Sequence, residues 1–404
     1  MKKLVSVQIV LFLIVLLALP GLALSQKAPP KTKIRIGFSM SLTGIYAAGS
    51  ESQINAYNLW SEEVNKKGGI LVKDLNKRLP VELVYYDDKS QPDVAVRIYE
   101  KLITQDKVDL VFTPWGTSIH FAIAPLSERY KIPMVGTTAS SVKLRELKGT
   151  YFWFITSSIP DRQMKALVEL LKSLKDQVKT VAILYVQDLF PRENLQFLEP
   201  GLKEAGIQIV LSKDYPIGVK DLTSLLTEVK RKNPDAVICL TYPADCFLMT
   251  AQAKEVGVNP KLFLELVGPT IVGFHDKYGP ATEGIIAMGH WSPKGNWPGA
   301  KTFFDNYKAR WNKNPDYLDS SLSYMGCQII EQAIERAGSL NKNKIRDVIA
   351  SQEFSTINGP VKFTGIENLK TPGMWLQWQK GELEIVWPSD VATAKLLFPK
   401  PKWP

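Results

Sequence analysis

The sequence has few of the side chains that bind metals or form covalent bridges. It contains three cysteines and three histidines among 404 residues, and none of them stands at the spacing of a zinc site. An odd number of cysteines excludes complete pairing within the chain. A bridge between Cys239 and Cys246 remains one alternative, but their apolar surroundings favour buried free thiols. We expect no metal and no cofactor.

Motifs of the common catalytic and nucleotide-binding sites are also missing. The chain contains no G-x-x-x-x-G-K-[ST], no G-x-G-x-x-G after a predicted strand, no G-x-S-x-G and no H-E-x-x-H. Two adjacent carboxylates, Asp87 and Asp88, end a predicted strand. Neighbours on a strand point to opposite faces, so a structural role at the rim is favoured over a catalytic pair. We predict that the protein is not an enzyme.

The sequence has no long run of basic residues, and its one long apolar run lies at the N-terminus. The formal net charge is +10, but the lysines and arginines are scattered, which indicates a solvated surface rather than a nucleic-acid partner. After the first residues no apolar run reaches the ~18 to 20 residues of a membrane span. At the N-terminus, Lys2 and Lys3 precede the apolar run Ile9–Ala18, and Ala23 and Ser25 are small. This pattern predicts a signal peptide over residues 1–25 and a periplasmic or other extracytoplasmic location.

Strand and helix patterns alternate along most of the chain. A chain of this length exceeds one hydrophobic core, and the order of elements from Ile34 to Val135 is repeated from Val181 to Leu266. Such alternation is typical of parallel sheets with helices on both faces. We therefore predict an α/β fold of two Rossmann-like lobes, which the last quarter of the chain completes.

Two corners of the chain combine small, hydroxyl-bearing and uncharged residues. They are Thr113–Ser118 and Gly136–Ser141, and each follows an apolar run; a similar corner spans Ser41–Ser50. At the carboxyl ends of parallel strands such corners border a ligand crevice, and backbone N–H groups at a helix start suit an anion. The alternative is that Gly, Ser and Thr serve turns and helix caps alone. Three neighbouring corners favour a binding site.

Aromatic side chains follow several of the predicted strands. Each of them could serve packing alone, but their position at strand exits is where ligand crevices form. They are Tyr46, Trp115, Phe190, Tyr242, Trp291 and Tyr324.

The ordered set of segments resembles the type I periplasmic binding proteins, in particular the leucine/isoleucine/valine-binding solute receptors of ABC importers. The resemblance is carried by residues 34–44, 65–70, 84–88 with Pro92, 132–135 and 358–360. It implies two lobes joined by three crossover hinge strands, near residues 156–158, 289–292 and 356–359, with a ligand clamped in the cleft between the lobes. The implied division is residues 33–156 and 291–357 for lobe 1, residues 157–290 and 358–390 for lobe 2, and a C-terminal tail over residues 391–404.

The resemblance also implies partners. They are a small-molecule ligand, an amino acid or organic acid, and the permease of an ABC importer at the membrane, with the receptor itself a monomer. A receptor domain of the same fold that signals to a membrane partner is the alternative, because it shares every sequence feature named above.

By the same resemblance, the ligand carboxylate binds at the loops that follow the third and fourth strands. The corresponding residues here are Gly116 and Thr117 in the first loop and Thr138 and Ser140 in the second, and the matching aromatic contacts are Phe190, Tyr242 and Tyr324. Trp115, Ala139 and Tyr46, which stand in the same three corners, complete the predicted ligand-binding residues.

One position departs from the amino-acid receptors of this group, which place an acidic residue after the lobe 2 strand Leu262–Leu266 to receive the ligand ammonium. The sequence has Val267 there, and Glu265 stands two residues earlier. An unpaired ammonium in a closed cleft is costly. The sequence therefore leaves two ligand classes open, an aliphatic amino acid or an aromatic or aliphatic acid that lacks an ammonium group, unless Glu265 reaches the cleft.

Overall fold

The computed structural model describes residues 30–156, 159–271, 273–371 and 373–404. The predicted signal peptide lies outside these residues, as do Ser157 and Ser158 of the first predicted crossing. The fold is contained in Lys33–Pro404, a single compact unit, within which separate sheets define two lobes. Among the described residues, no helix combines the length and the apolar character needed to cross a bilayer.

Lobe 1 begins with the predicted alternation of strands and helices. In chain order its first part consists of Ile34–Met40 (β1), Ala47–Lys66 (α1), Ile70–Val72 (β2), Lys77–Leu79 (β3), Val81–Asp87 (β4), Pro92–Thr104 (α2), Leu110–Val111 (β5), Thr117–Arg129 (α3), Met134–Gly136 (β6) and Phe152–Phe154 (β7). Parallel pairing joins β1 to β4 and β5, and β6 to β7. The hairpin of β2 and β3 was not predicted, because strands of three residues are too short to show an alternating pattern.

Lobe 2 is built from the next, uninterrupted part of the chain. It consists of Pro160–Ser173 (α4), Thr180–Val186 (β8), Leu189–Glu204 (α5), Gln208–Tyr215 (β9), Thr223–Lys232 (α6), Ala236–Leu240 (β10), Pro243–Val256 (α7), Leu262–Glu265 (β11), Phe274–Tyr278 (α8) and Ile285–Gly289 (β12). These strands pair in parallel in the order β12-β11-β10-β8-β9. All residues of β10 and β12 are buried, which explains their continuous apolar sequence.

The last quarter of the chain adds elements to both lobes. It contains Ala300–Trp311 (α9), Asp319–Ala337 (α10), Lys342–Ser351 (α11), Glu353–Thr356 (β13), Gly359–Thr364 (β14), Glu367–Asn368 (β15), Met374–Gln379 (β16) and Glu382–Trp387 (β17). The strands β13, β14 and β15 extend the sheet of β6 and β7 in lobe 1, whereas β16 and β17 pair antiparallel at the edge of the lobe 2 sheet.

The chain passes between the lobes after β7, after β12 and after β15. The third passage differs in place from the expected one at residues 356–359, since β14 and β15 still belong to the lobe 1 sheet. Asn358 nevertheless reaches the second passage, because its amide donates a hydrogen bond to the His290 carbonyl. We propose that the third crossing lies between β15 and β16, with a corresponding shift of the lobe boundary.

The cysteines and the carboxylate Asp88, for which the sequence left alternatives open, have structural roles in the fold. All three cysteines are buried and free, in line with the favoured prediction. Asp88 is fully buried and accepts hydrogen bonds from the hydroxyls of Ser39 and Ser41 at 2.7 and 2.6 Å. It holds the loop after β1 against the end of β4, which is the structural role predicted for this pair of carboxylates.

Candidate functional site

Each lobe has a topological switch point, where the connections that follow two neighbouring strands run to opposite sides of the sheet. In lobe 1 the strand β1 lies between β4 and β5, and in lobe 2 the strand β8 lies between β9 and β10. Such switch points leave a crevice at the carboxyl ends of the strands. The loops after β1, β5 and β10 carry Tyr46, Trp115 and Tyr242, and Phe190 lies in the first turn of α5, which follows β8.

A cavity lies where these loops meet. Its volume is about 40 Å³, and since one water needs about 10 to 15 Å³ on this measure, it holds about three waters. Among its lining are eight of the predicted site residues, namely Trp115, Gly116, Thr117, Thr138, Ser140, Phe190, Tyr242 and Val267.

The two hydroxyl-rich corners of lobe 1 are bonded to each other. The Thr117 hydroxyl accepts from the Ser140 N–H at 3.2 Å and lies 3.3 Å from the Ser140 carbonyl oxygen, while the Gly116 N–H donates to the Thr138 hydroxyl at 3.2 Å. Gly116 has φ +90°, a conformation that favours glycine. Because Thr117 is the first residue of α3, the unpaired N–H groups of a helix start stand at this corner. The corner offers neutral donors to an anion.

Next to these corners lies an aromatic wall centred on Tyr242. Its ring centroid lies 5.6 Å from Tyr46, 5.8 Å from Trp115 and 6.4 Å from Phe190, distances at which aromatic pairs attract each other. Gly49 of α1 seats the indole, since a Cβ at this glycine would lie 2.5 Å from Trp115 Nε1. The wall thus joins rings of both lobes.

Tyr46 closes the cleft and does not line the cavity. Its hydroxyl donates to Asp188 Oδ2 at 2.7 Å, and Ser118 Oγ lies 3.2 Å from Asp188 Oδ1. Burial and the charge of Asp188 raise the pKa of Tyr46, so its hydroxyl remains a donor at neutral pH. These bonds run from lobe 1 to lobe 2, and the structure is therefore a closed state of the cleft.

Two further predicted residues lie away from the cavity. Ala139 is fully buried in the turn between Thr138 and Ser140. The Tyr324 hydroxyl donates to Glu63 of α1, and its ring centroid lies 4.6 Å from that of Phe303. Tyr324 therefore packs helices of lobe 1 together instead of facing the cleft.

Glu265 does not reach the cleft. It is the last residue of β11, is fully buried and accepts a hydrogen bond from the Thr250 hydroxyl at 2.6 Å. Burial raises the pKa of Glu265 to about 8, so it is neutral at neutral pH. Val267, in contrast, lines the cavity, and the alternative in which Glu265 meets the ligand is wrong for this closed structure.

The cavity has six further lining residues that sequence reasoning missed, namely Thr156, Met288, His290, Leu318, Asp319 and Leu322. His290 Nε2 lies 3.2 Å from the Thr156 hydroxyl, which links the first and second crossings. Burial lowers the pKa of His290 to about 4, so the imidazole is neutral. The sequence contained a signal for some of these lining residues. Met288 and His290 are two residues apart, as on one face of a strand, and Leu318 and Leu322 are four apart, as on one face of a helix, so each pair could have been assigned to a common surface.

The charge of the lining is low. Among the described residues that line the cavity there is no lysine and no arginine, and Asp319 is the only carboxylic acid. In the same described part of the chain, no group of three or more His, Cys, Asp or Glu side chains is arranged to hold a metal ion. The arrangement can enclose and orient a small molecule through neutral donors, aromatic rings and one acid.

Comparisons with known proteins agree with this geometry. A family model described as periplasmic binding protein matches residues 33–381. The Leu/Ile/Val-binding protein homolog 7 of Brucella suis biovar 1 (strain 1330) is 24% identical over 398 residues, which cover 93% of this chain and 97% of the relative.

Solved structures show the same fold. The branched-chain amino acid transporter substrate binding protein LivJ from Streptococcus pneumoniae, in complex with isoleucine, superposes with a TM-score of 0.78 at 22% identity, over 88% of this chain and 100% of that one. A solute binding protein of an ABC transporter from R. palustris, in complex with benzoate, has a TM-score of 0.77 at 16% identity, over 91% and 98%. These likenesses confirm the predicted two-lobed α/β fold.

Proposed function

The chain belongs to the periplasmic binding protein family, and from this premise we propose that it captures a small carboxylate-bearing solute by closure of its two lobes and delivers it to an ABC importer. Members of such a family bind solutes and are not enzymes, and they work outside the cytoplasm. The predicted signal peptide is consistent with that location. We propose that the receptor acts as a monomer and that the permease of the importer is its partner at the membrane.

The closed cavity between the lobes is the observation that carries this proposal. Its lining combines Gly116, Thr117 and Ser140 of the hydroxyl-rich corners at the start of α3 with the rings of Phe190 and Tyr242. Backbone N–H groups at a helix start stabilise an anion without a cationic side chain. Aromatic rings suit an apolar body attached to that anion. A small carboxylic acid with an apolar part combines these two properties.

Similar proteins support the same ligand class. Two relatives are Leu/Ile/Val-binding protein homologues, and three solved neighbours are complexes with isoleucine, benzoate or 3,4-dihydroxy benzoic acid. Their common chemical feature is a carboxylate next to an apolar or aromatic body. We propose a ligand of this class for the present chain, either a branched-chain or other aliphatic amino acid or a related aromatic or aliphatic acid.

A thermal-shift screen of residues 26–404 tests the proposal. Amino acids, aryl carboxylates and short aliphatic acids are added singly at a concentration far above micromolar. A ligand present at 100 times its dissociation constant stabilises the folded state by about 2.7 kcal/mol, which raises the melting temperature of a chain of this size by about 3 to 5 °C. If no carboxylate raises the melting temperature, the proposed ligand class is refuted.

We expect Thr117→Ala and Ser140→Ala each to weaken binding of the ligand found in that screen by about 1 to 3 kcal/mol. Thr117 begins the helix at the corner, and its hydroxyl also holds the Ser140 backbone. Isothermal titration calorimetry measures the change. Thr227→Ala is the matched control, because the Thr227 hydroxyl is exposed and bonds only within its own helix. Unchanged affinity in both site variants would remove the carboxylate assignment from this corner.

A further inference from the structure

Asp319 is a buried acid at the cavity whose side chain lacks a complete set of partners. It is the first residue of α10, is only 2% exposed and lines the cavity between Leu318 and Leu322. Its Oδ2 atom has no hydrogen-bond partner among the described residues. An unsatisfied buried polar atom destabilises the folded state, and more so when it is charged. The position is therefore unfavourable unless a bound group completes it.

A neighbouring acid shows what a purely structural carboxylate looks like at this helix start. Asp316 is fully buried as well, but it accepts hydrogen bonds from the backbone N–H groups of Leu318 and Ser320 at 2.9 and 3.1 Å. It thereby supplies the capping acceptor of α10. Asp319 is not needed for that purpose.

Nothing in the described lining compensates a negative charge on Asp319. The pKa of Asp319 is raised well above its ordinary value, mainly by burial and secondly by the charge of the nearby Asp316. The indole N–H of Trp115 opposes part of this rise without reaching hydrogen-bond geometry. His290 is neutral, with its pKa lowered to about 4 by burial, and no lysine or arginine is present in the lining that the structure describes. Asp319 can therefore become charged in this cavity only together with a positive charge that arrives with the ligand.

We propose that Asp319 receives a cationic amine of the ligand, so that the solute captured in this cleft carries an ammonium group together with its carboxylate. This inference rests on the proposed function, in which the corners of lobe 1 receive the carboxylate. With Val267 at the expected position, lobe 2 contributes no acid to the described cavity lining, and Asp319 supplies one from lobe 1. The faces of Trp115 and Tyr242 add to the attraction, because aromatic rings stabilise a nearby cation.

The test uses probes that differ by one functional group. Three series are titrated calorimetrically, with side chains of increasing size: alanine, leucine and phenylalanine. Each series contains the L-amino acid, its 2-hydroxy acid, its deaminated acid and its decarboxylated amine; for leucine these are 2-hydroxy-4-methylpentanoate, 4-methylpentanoate and 3-methylbutylamine. The protein variants are the wild type, Asp319→Asn and Glu265→Gln. The last removes a buried acid that does not line the cavity and serves as the matched control.

We expect the wild type to bind the amino acid of the best-fitting series about 30-fold or more tighter than its hydroxy and deaminated counterparts, as for a buried charge pair. Asp319→Asn lowers the affinity for the amino acid by a similar factor and leaves the deaminated acid within about threefold. Glu265→Gln changes neither. Equal affinities for the amino acid and the deaminated acid in the wild type, or an unchanged ratio in Asp319→Asn, overturn the inference.

The decarboxylated amines separate this inference from the proposed function. Binding of an amine without a carboxylate, lost in Asp319→Asn, supports the role of Asp319 and refutes the carboxylate class. Binding of deaminated acids alone supports the carboxylate class and refutes the role of Asp319. If no member of any series binds, both are refuted.

The number of protons released on ligand binding distinguishes an Asp319 that binds the ligand from an Asp319 that only stabilises the fold. The titratable groups around Asp319 are Asp316, His290 and Tyr242. His290 is neutral at pH 7, and burial raises the pKa of Tyr242 far above that pH. Burial favours the protonated form of Asp319 in the ligand-free cleft, and an arriving ammonium favours its anion, so we expect the wild type to release a larger number of protons per amine bound than Asp319→Asn. Calorimetry in phosphate and in Tris, whose ionisation enthalpies differ, measures this number.

Discussion

Replacement of Tyr242 by alanine is expected to weaken ligand binding by about 2 to 4 kcal/mol, or about 30- to 900-fold. The ring of Tyr242 forms the centre of the aromatic wall and is only 5% exposed. It touches Trp115 and Tyr46 of lobe 1 as well as Phe190 of lobe 2. Its removal deprives the ligand of one wall and the closed cleft of an apolar contact between the lobes.

The control for this effect is Tyr242→Phe, which keeps the ring and removes only the hydroxyl. We expect its affinity to stay within about 1 kcal/mol of the wild type, since the contribution of the ring is retained. Affinities come from calorimetry with the ligand of the thermal-shift screen, and circular dichroism checks that both variants are folded. If the phenylalanine variant binds as weakly as the alanine variant, the hydroxyl and not the ring is responsible. Wild-type affinity in the alanine variant contradicts the role of the wall altogether.

The second large effect is expected from Asp188→Ala, which removes the shared acceptor of Tyr46 and Ser118 across the cleft. A hydrogen bond to a charged group contributes about 1.5 to 3 kcal/mol when buried. Asp188 is half-buried, so we expect the closed state to lose about 1 to 3 kcal/mol in total. The ligand then dissociates faster, because most changes in affinity appear in the dissociation rate.

Stopped-flow measurement of ligand release and small-angle scattering of the ligand-free protein test this expectation. Asp188→Ala should release ligand about 5- to 150-fold faster and populate a more open form. Gln187→Ala is the matched control, because the neighbouring Gln187 bonds to Asp214 at 2.8 Å, within lobe 2 alone. A dissociation rate that is the same in all three proteins shows that the bonds at Asp188 do not hold the lobes together.

Much of the fold could be predicted because its signals are local. Helix α2 begins at Pro92, and a proline in the first turn is a start signal that the sequence shows directly. The first helix begins at Ala47, inside the corner Ser41–Ser50. Its first turn consists of small residues whose pattern is equally typical of a loop. The place of the third crossing could not be predicted, since strand pairing between Glu367 and Phe154 leaves no mark in either segment.

The lobe 1 corners of the candidate site could be predicted, and one residue on α10 could have been placed better. Tyr324 follows Asp319 by five residues, which puts it about 140° away around a helix. The two side chains therefore cannot share one face, and the structure has Asp319 at the cavity and Tyr324 against Glu63. Asp319 itself gave no functional signal, because an acid in the first turn of a helix is what the helix dipole favours anyway. His290 likewise gave no functional signal, because a single histidine directly after an apolar strand is not a recognisable motif.

The interrupted path of the chain through lobe 1 has a consequence for the order in which the two halves of the protein can mature. All five parallel strands of lobe 2 are complete once residue 289 has been made, whereas β15 has to pair with β7 across about half of the chain. A chain that emerges from the ribosome N-terminus first therefore holds an unfinished first half beside a nearly complete second half. Contacts of such long sequence separation form slowly, and unpaired sheet edges invite association with other chains. The half that is synthesised first is thus the half that most needs protection from aggregation during biogenesis.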